Sequence, residues 1–399
     1  MKSLAAFILF FLFPALLSAG EWIFDEKVPI SLNNGTGIFH HLESSGRKNI
    51  AVNDSVVVVV WEDNHSGSPQ IYAAFKTPSS NNFSKPEKLS TGNSAFEPTV
   101  VGVVGGFIAA WEQEGEIWAR KIQPDSASTP VKLSVAPSTQ VSIAANNHRV
   151  VAAWVQKQEK YRQIVASELE QTAIGIEAGT PRTVDTQPPA VHQQYPSLAL
   201  TDNTIAITWE DRRRGHTALF SSYAKNLASF SKPKLLNEIV KKSEKYGKGS
   251  GVTRTALVLL GNNRVAATWM DKRGTLAGYD IYAAFSDNGG KSWGKNQKVQ
   301  DEFGNDIAQW NPAIAGGPNG TVVIAWDDNR DDSSDIWLSW KSSNSNWSED
   351  VTSAPACGPG DQTNPVIALD NNGNLHMAWL DKQEDGVTRL FYSKAEFRN

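Results

Sequence analysis

The chain has 399 residues, a formal net charge of −4 and one cysteine, Cys357. That charge leaves no electrostatic footprint for nucleic acid, so no nucleic-acid partner is expected, and a lone cysteine excludes an intrachain disulfide. The length suits one large β domain or two ordinary ones, and the fourteen tryptophans are a high count that proves periodic.

Residues 1–20 read as a secretory signal peptide. Lys2 gives the positive start, residues 4–17 the apolar core, and Ser18 and Gly20 are small residues suited to cleavage before Glu21. The alternative is an uncleaved anchor, but Pro14 breaks the core, which is too short to span a bilayer comfortably. No cysteine follows the core to carry a lipid, and nothing later is apolar enough to cross a membrane. The expectation is a secreted or periplasmic monomer, with residues 21–399 as a single domain and no membrane span after cleavage.

From there the chain repeats itself. Short apolar strands end in Trp61, Trp111, Trp154, Trp209, Trp269, Trp326 and Trp379, seven copies spaced about 43 to 60 residues apart. Before most of them lies a shorter strand opened by a polar residue and proline, as at Glu97-Pro98, Tyr195-Pro196, Asn311-Pro312 and Asn364-Pro365. After each come a polar connection, a third strand such as residues 280–285, and a weaker fourth such as residues 83–89 or 230–235. Four strands per unit of about 50 residues, repeated radially, predict an all-β, seven-bladed β-propeller of four-stranded antiparallel blades. A sandwich would not repeat one motif seven times. The seventh unit stops after its third strand, and residues 22–31 resemble the fourth strands elsewhere, so the N-terminal strand is expected to close the ring.

Two stretches interrupt the period. Residues 169–191 weaken blade three. Residues 236–254 carry Lys241, Lys242, Lys245 and Lys248, read as a solvated loop with an anion-binding loop as the alternative. Between the third and fourth strands of blade five stands Ser286-Asp287-Asn288-Gly289-Gly290-Lys291-Ser292-Trp293. Its glycines allow a tight reversal, its Ser and Asn side chains can bond turn amides, and Trp293 would plug the neighbouring sheet. Residues 341–346 occupy the same position in blade six without the pattern.

This octet resembles the Asp box of the sialidase-like (BNR) β-propellers, with Asn288 where the family carries Asp; Ser286, Asn288, Gly290, Ser292 and Trp293 would be its structural positions. The resemblance implies a face where inner strands start and second strands end, the face on which sialidases bind sugar, with the Asp boxes on the opposite face. It would gather Tyr195, Trp310, Asn311, Asn364, His192 and Gln193. A sialidase also needs three arginines, a Tyr with a Glu partner, and an acid/base Asp. The candidates for those roles are Tyr195, Glu210, Asp211, Arg213, Arg273 and Arg330. The family's Arg-Ile-Pro motif is absent, its nearest arginine here being Arg47 before Lys48-Asn49-Ile50, and true sialidases have six blades.

The residues themselves leave two readings of the recurrent acids. Asp63, Asp211, Asp271, Asp328 and Asp381 each stand two residues after a strand-ending Trp, and Arg213, Arg273 and Arg330 two further on. They form either a ring of ligand-binding groups with Tyr195 and Trp310, or a structural device needed in every blade. Repetition favours the device, since a catalytic residue is needed once. Asp328, Asp331 and Asp332 are weak Ca²⁺ candidates lacking the Gly and Glu of a calcium loop. No metal site, phosphate loop or cofactor motif is recognised. Asn319-Gly320-Thr321 is a glycosylation sequon if the host modifies exported proteins. The expected function is an exported binding module that holds a glycan, a peptide or a protein at the channel mouth; the alternative is an exo-α-sialidase-type glycoside hydrolase.

Overall fold

The computed structural model describes residues 20–32, 35–43, 46–239, 251–261, 263–273, 278–304, 306–317 and 319–398. Residues 1–19, most of the stretch read above as a signal peptide, and the four loop lysines at 241, 242, 245 and 248 lie outside the described residues. Seven antiparallel sheets follow one another along the chain, and together they form a seven-bladed propeller. Blade four shows the pattern: Gln193–Leu200 is innermost, followed by Ile205–Asp211, Ala218–Ala224 and the short outer Lys234–Leu235. In blades one, two, three and seven one edge strand is interrupted.

The ring closes as the sequence predicts. Glu21–Phe24 pairs antiparallel with the end of Thr388–Arg398, Val28 sits opposite Tyr392, and the Ile30 amide donates to the Leu390 carbonyl at 2.9 Å. Residues 169–191 do not weaken blade three. Arg162–Thr172 runs long there and returns through Gly175–Ala178 and Arg182–Thr183. Thr172 pairs with Gly175 around Ala173 and Ile174, so the stretch that reads as a linker is a hairpin.

Apolar side chains gather in seven clusters, one at each interface between adjacent blades. All seven strand-ending tryptophans are fully buried. Second strands carry apolar residues at successive positions because both of their faces meet a neighbouring blade. Truncating such a buried Trp typically costs 3–5 kcal/mol. With no disulfide, these interfaces hold the ring.

A buried indole calls for an acceptor, and in six of the seven blades the residue two positions on supplies it, while Trp379 Nε1–H of blade seven has no partner among the described residues. Trp61, Trp209, Trp269 and Trp326 donate Nε1–H to Asp63, Asp211, Asp271 and Asp328 at 2.8, 3.1, 3.0 and 3.0 Å. Gln113 and Gln156 accept at 3.3 and 3.4 Å in blades two and three. The same aspartates accept the backbone amide two residues further on and bind that residue's side chain: Arg213, Arg273 and Arg330, and His65 in blade one. Each of those side chains then lies over a third-strand aromatic. Arg213 is 4.3 Å from Phe220, Arg273 4.1 Å from Tyr282, Arg330 4.0 Å from Trp337, and His65 4.4 Å from Tyr72. In blade seven Lys27, from the closing strand, reaches Asp381 at 2.9 Å and sits over Phe391.

The turn in blade five also closes on itself. Ser286 Oγ accepts the Gly290 amide at 2.8 Å, and Asn288 Oδ1 accepts the Ser292 amide at 2.9 Å. Trp293 donates to Ser221 Oγ of blade four at 3.1 Å. Asp271 pairs with Asp280 at one end of the hairpin and Val265 with Ser286 at the other, so this turn and the strand-ending acids lie on opposite faces.

Candidate functional site at the channel mouth

Six of the seven inner strands carry the same irregularity. Their register breaks one to three residues into the strand, and Glu97, Gln140, Tyr195, Arg254, Asn311 and Asn364 take positive φ between 50° and 61°. A bulge re-aims side chains, and in a propeller it re-aims them around the channel mouth. Non-glycine residues in this conformation carry strain, and here the amides of five of them are held by acceptors from a neighbouring blade. Glu62 accepts from Glu97, Glu112 from Gln140, Gln140 from Tyr195, Glu210 from Arg254, and Asp327 from Asn364, at 2.6 to 3.4 Å.

Blade one replaces the bulge with an insertion. Its inner strand splits into His40–His41 and Ile50–Asn53, and between them Gly46 and Arg47 reach residues of blades three, four and five. Gly46 takes a φ of 86°, and a Cβ there would stand 2.8 Å from the Thr255 carbonyl, so only glycine fits. Arg47 is the hub. It donates Nε–H to the Val141 carbonyl at 3.2 Å, pairs with Glu97, and reaches Glu112 at 3.3 Å. Arg254 from blade five pairs with Glu43 of the insertion at 3.1 Å and lies 4.0 Å over the Tyr195 ring. Asn364 of blade seven donates to the Leu42 carbonyl at 3.0 Å. At the base of the mouth, Lys48, Ser142, Ser197 and apolar inner-strand residues line a void of about 20 Å³.

Burial sets the electrostatics of the mouth. It pushes the Glu210 carboxyl up to about 7 against hydrogen bonds from Thr253 and the Arg254 amide. It pushes Asp327 up to about 7 against those from Asn311 and Asn364. Burial also opposes ionisation of Glu97, yet the bond from His41 and the charge of Arg47 win and hold it at about 2. The Glu97 carboxylate in turn raises His41. Lys48 in the channel is lowered to about 8 by burial.

The rim is aromatic. Among the described residues the exposed aromatic side chains are Phe39, Phe96, Phe303, Trp310 and Phe397, and the first four stand on the mouth face. Trp310 is 44% exposed and meets Tyr279 edge to face at 5.2 Å. Phe39 and Phe96 lie at the start of the inner strands of blades one and two, and Phe303 and Trp310 at the entry to blade six, so the mouth face presents exposed aromatics in these sectors.

The sequence-based candidates divide sharply in placement. Tyr195, Trp310, Asn311 and Asn364 stand at the mouth. Asp63, Asp211, Asp271, Asp328 and Asp381 are fully or almost fully buried and occupied by the Trp and cation contacts above. Arg213, Arg273 and Arg330 do not converge, since each is held in its own sector by its Asp and by Asp185, Asn296 or Asp350 at 2.7 to 2.9 Å. Glu210 faces Thr253 and Arg254, and Tyr195 stacks on Arg254. His192 accepts the Arg162 amide, and Gln193 is buried between Ile164 and Asp185. Asp331 and Asp332 are exposed on the Val322–Asp331 hairpin, away from the engaged Asp328. Among the described residues, His41, Glu43 and Glu97 could share a metal, but Glu43 and Glu97 are already paired with Arg254 and Arg47. The sequence marked Arg47 only as the arginine nearest an absent Arg-Ile-Pro motif, and it left Arg254 unmarked, because neither follows a strand-ending Trp.

No protein-family model matches the chain, and no curated protein does. Solved structures match it over nearly its whole length. A polysaccharide lyase described as PL25 ulvan lyase, bound to -[GlcA(1-4)Rha3S]-, has a TM-score of 0.60 at 9% identity, covering 94% of this chain and 98% of its own. The polysaccharide lyase Uly1 gives 0.56 at 9%, covering 93% and 99%. A protein of unknown function from Dyadobacter fermentans DSM 18053 gives 0.52 at 11%, covering 94% and 99%. At these identities the likeness is one of fold.

Proposed function

We propose that the protein is an exported propeller whose channel mouth binds a glycan. The observation that carries this reading is the rim: Phe39, Phe96, Phe303 and Trp310 exposed around a basin of Arg, Glu, Asn and Tyr side chains. Aromatic faces take the C–H faces of sugar rings, while convergent polar groups fix their hydroxyls. Two of the propellers that share the fold are polysaccharide lyases, which supports a glycan over a peptide as the ligand class. In this reading the repeated Trp-x-Asp-x-Arg groups are structural, and Ser286, Asn288, Gly290, Ser292 and Trp293 serve as an Asp-box-type turn.

Sialidase chemistry is disfavoured by the parts. Two arginines, Arg47 and Arg254, approach a common carboxylate, but it is the protein's own Glu43, at 3.9 and 3.1 Å. Tyr195 has no carboxylate partner among the described contacts, and Glu210 is held near neutrality as a cap for Thr253 and the Arg254 amide. A nucleophile needs a base in contact with it. A fluorogenic sialoside incubated with the mature protein should release no fluorophore, and a glycan array should show binding. Release that disappears in Tyr195→Phe would overturn the non-catalytic reading, and an array without a bound glycan would overturn the ligand class.

A further inference from the structure

The face opposite the mouth carries a second concavity where blades six and seven meet. It encloses about 580 Å³ and is lined by Trp22, Trp340 and Phe397 on one side and by Asn319, Asn346 and Asn372 on the other, among further small polar residues. The three rings meet edge to face, with centroids 6.3 Å apart for Trp22 and Trp340, 5.1 Å for Trp22 and Phe397, and 5.8 Å for Trp340 and Phe397. Phe397 is the fifth exposed aromatic among the described residues, the one that does not belong to the mouth.

Neighbouring blades explain why this corner is open. In blade five the octet turn folds over the equivalent corner, and Trp293 reaches across to Ser221 of blade four. In blade six the shorter turn bonds mainly within itself, Ser345 to Ser342, and Trp347 reaches Phe285 of blade five at 6.2 Å. In blade seven the corner is built by the pairing of Glu21–Phe24 with the end of Thr388–Arg398, which sends Trp22 against blade six. A strand pair stands here where blades five and six have a turn.

The lining has a definite chemistry. No charged side chain lines the groove among the described residues. The carboxamides of Asn319, Asn346 and Asn372 are exposed and make no hydrogen bond to a described residue, so each offers two donors and an acceptor. Aromatic faces beside unengaged amides, with no charge to pair, suit a ligand that is rich in hydroxyls and uncharged. The volume lies in the range of small-molecule sites.

We propose that this groove is a second binding site, for a neutral oligosaccharide, separate from the mouth. Its aromatic wall stacks on sugar rings, and its amides bond their hydroxyls. Calorimetry on mature protein from a non-glycosylating host, which leaves Asn319 unmodified, tests it with cellohexaose, laminarihexaose, mannohexaose and xylohexaose, and with hexagalacturonate as the acidic control. At least one neutral hexaose should bind more tightly than hexagalacturonate. The double variant Asn346→Ala/Asn372→Ala, which touches only exposed side chains, should weaken it about tenfold or more. The mouth variant Trp310→Ala should leave that binding unchanged. No neutral hexaose bound at about 10 mM, equal or tighter binding of hexagalacturonate, or insensitivity to the double variant would each overturn the site. Binding lost in Trp310→Ala alone would overturn it too, by assigning the sugar to the mouth.

Discussion

Asp271 has no capacity left for a ligand. It is fully buried, accepts the Trp269 indole at 3.0 Å, the Arg273 amide at 2.8 Å and the Arg273 guanidinium at 2.9 Å, while Arg273 lies flat on Tyr282. Removing the carboxylate strands an indole N–H and a largely buried guanidinium, so Asp271→Ala should lose about 1–3 kcal/mol of stability in urea unfolding. Unchanged stability with lost glycan affinity would move the residue into the binding site. The repeated acids and arginines were legible in the sequence, as was the argument that repetition means structure. Their partners were not. His65 and Gln383 stand where blades four to six have arginine, with Lys27 adding the cation of blade seven, and only the third-strand aromatic beneath His65 and Lys27 shows that any cation or flat ring will serve.

Glu210 and Asp327 give a pH signature at the same scale. Both stand at about 7 in the fold, against about 4 in an unfolded chain, so the folded state holds more protons between those values. Their contribution to stability is therefore most favourable on the acid side, declines as pH rises from about 4 to about 7, and is level above that. Glu210→Gln/Asp327→Asn keeps the acceptor oxygens and removes the charges. At pH 8 the double variant should exceed the parent by on the order of 1–3 kcal/mol, with little difference at pH 4. Urea midpoints at the two pH values check this, and a variant less stable than the parent at pH 8 would contradict it.

At the scale of elements, the blade-five turn was readable because its chemistry is local, with two glycines and side chains that bond amides within eight residues. Gly289 has a φ of 69°, and a Cβ there would stand 2.1 Å from Thr204 Oγ1. Gly215 has a φ of 83° with nothing within 4 Å of that position. Gly289→Ala should therefore cost clearly more than Gly215→Ala, which bears only the conformational penalty of roughly 1 kcal/mol. Equal melting temperatures would refute the close approach. The inner-strand bulges were not readable. Six non-glycine residues adopt positive φ there, and the amides of five of them are held by acceptors from a neighbouring blade. The blade-one insertion was equally hidden, since Gly46 and Arg47 acquire meaning only against Thr255, Val141 and Glu97.

Across the whole molecule, ring closure decides what can meet. The seven-fold period and the strand-like residues 22–31 sufficed to predict the fold and its seam, because each blade repeats one local pattern and the segment missing from blade seven is supplied by Glu21–Phe24. Arg47 and Arg254 are 207 positions apart and both approach Glu43 across the mouth, a juxtaposition that exists only in the closed ring. We infer that a glycan sits at this mouth against its aromatic rim. Calorimetric titration of an array-identified glycan into wild type and into Trp310→Ala, Phe96→Ala and the groove variant Asn346→Ala/Asn372→Ala tests it most directly. Affinity should fall about tenfold or more, some 1.4 kcal/mol, in each rim variant and hold in the groove variant. A glycan bound equally well by wild type and both rim variants would contradict the claim.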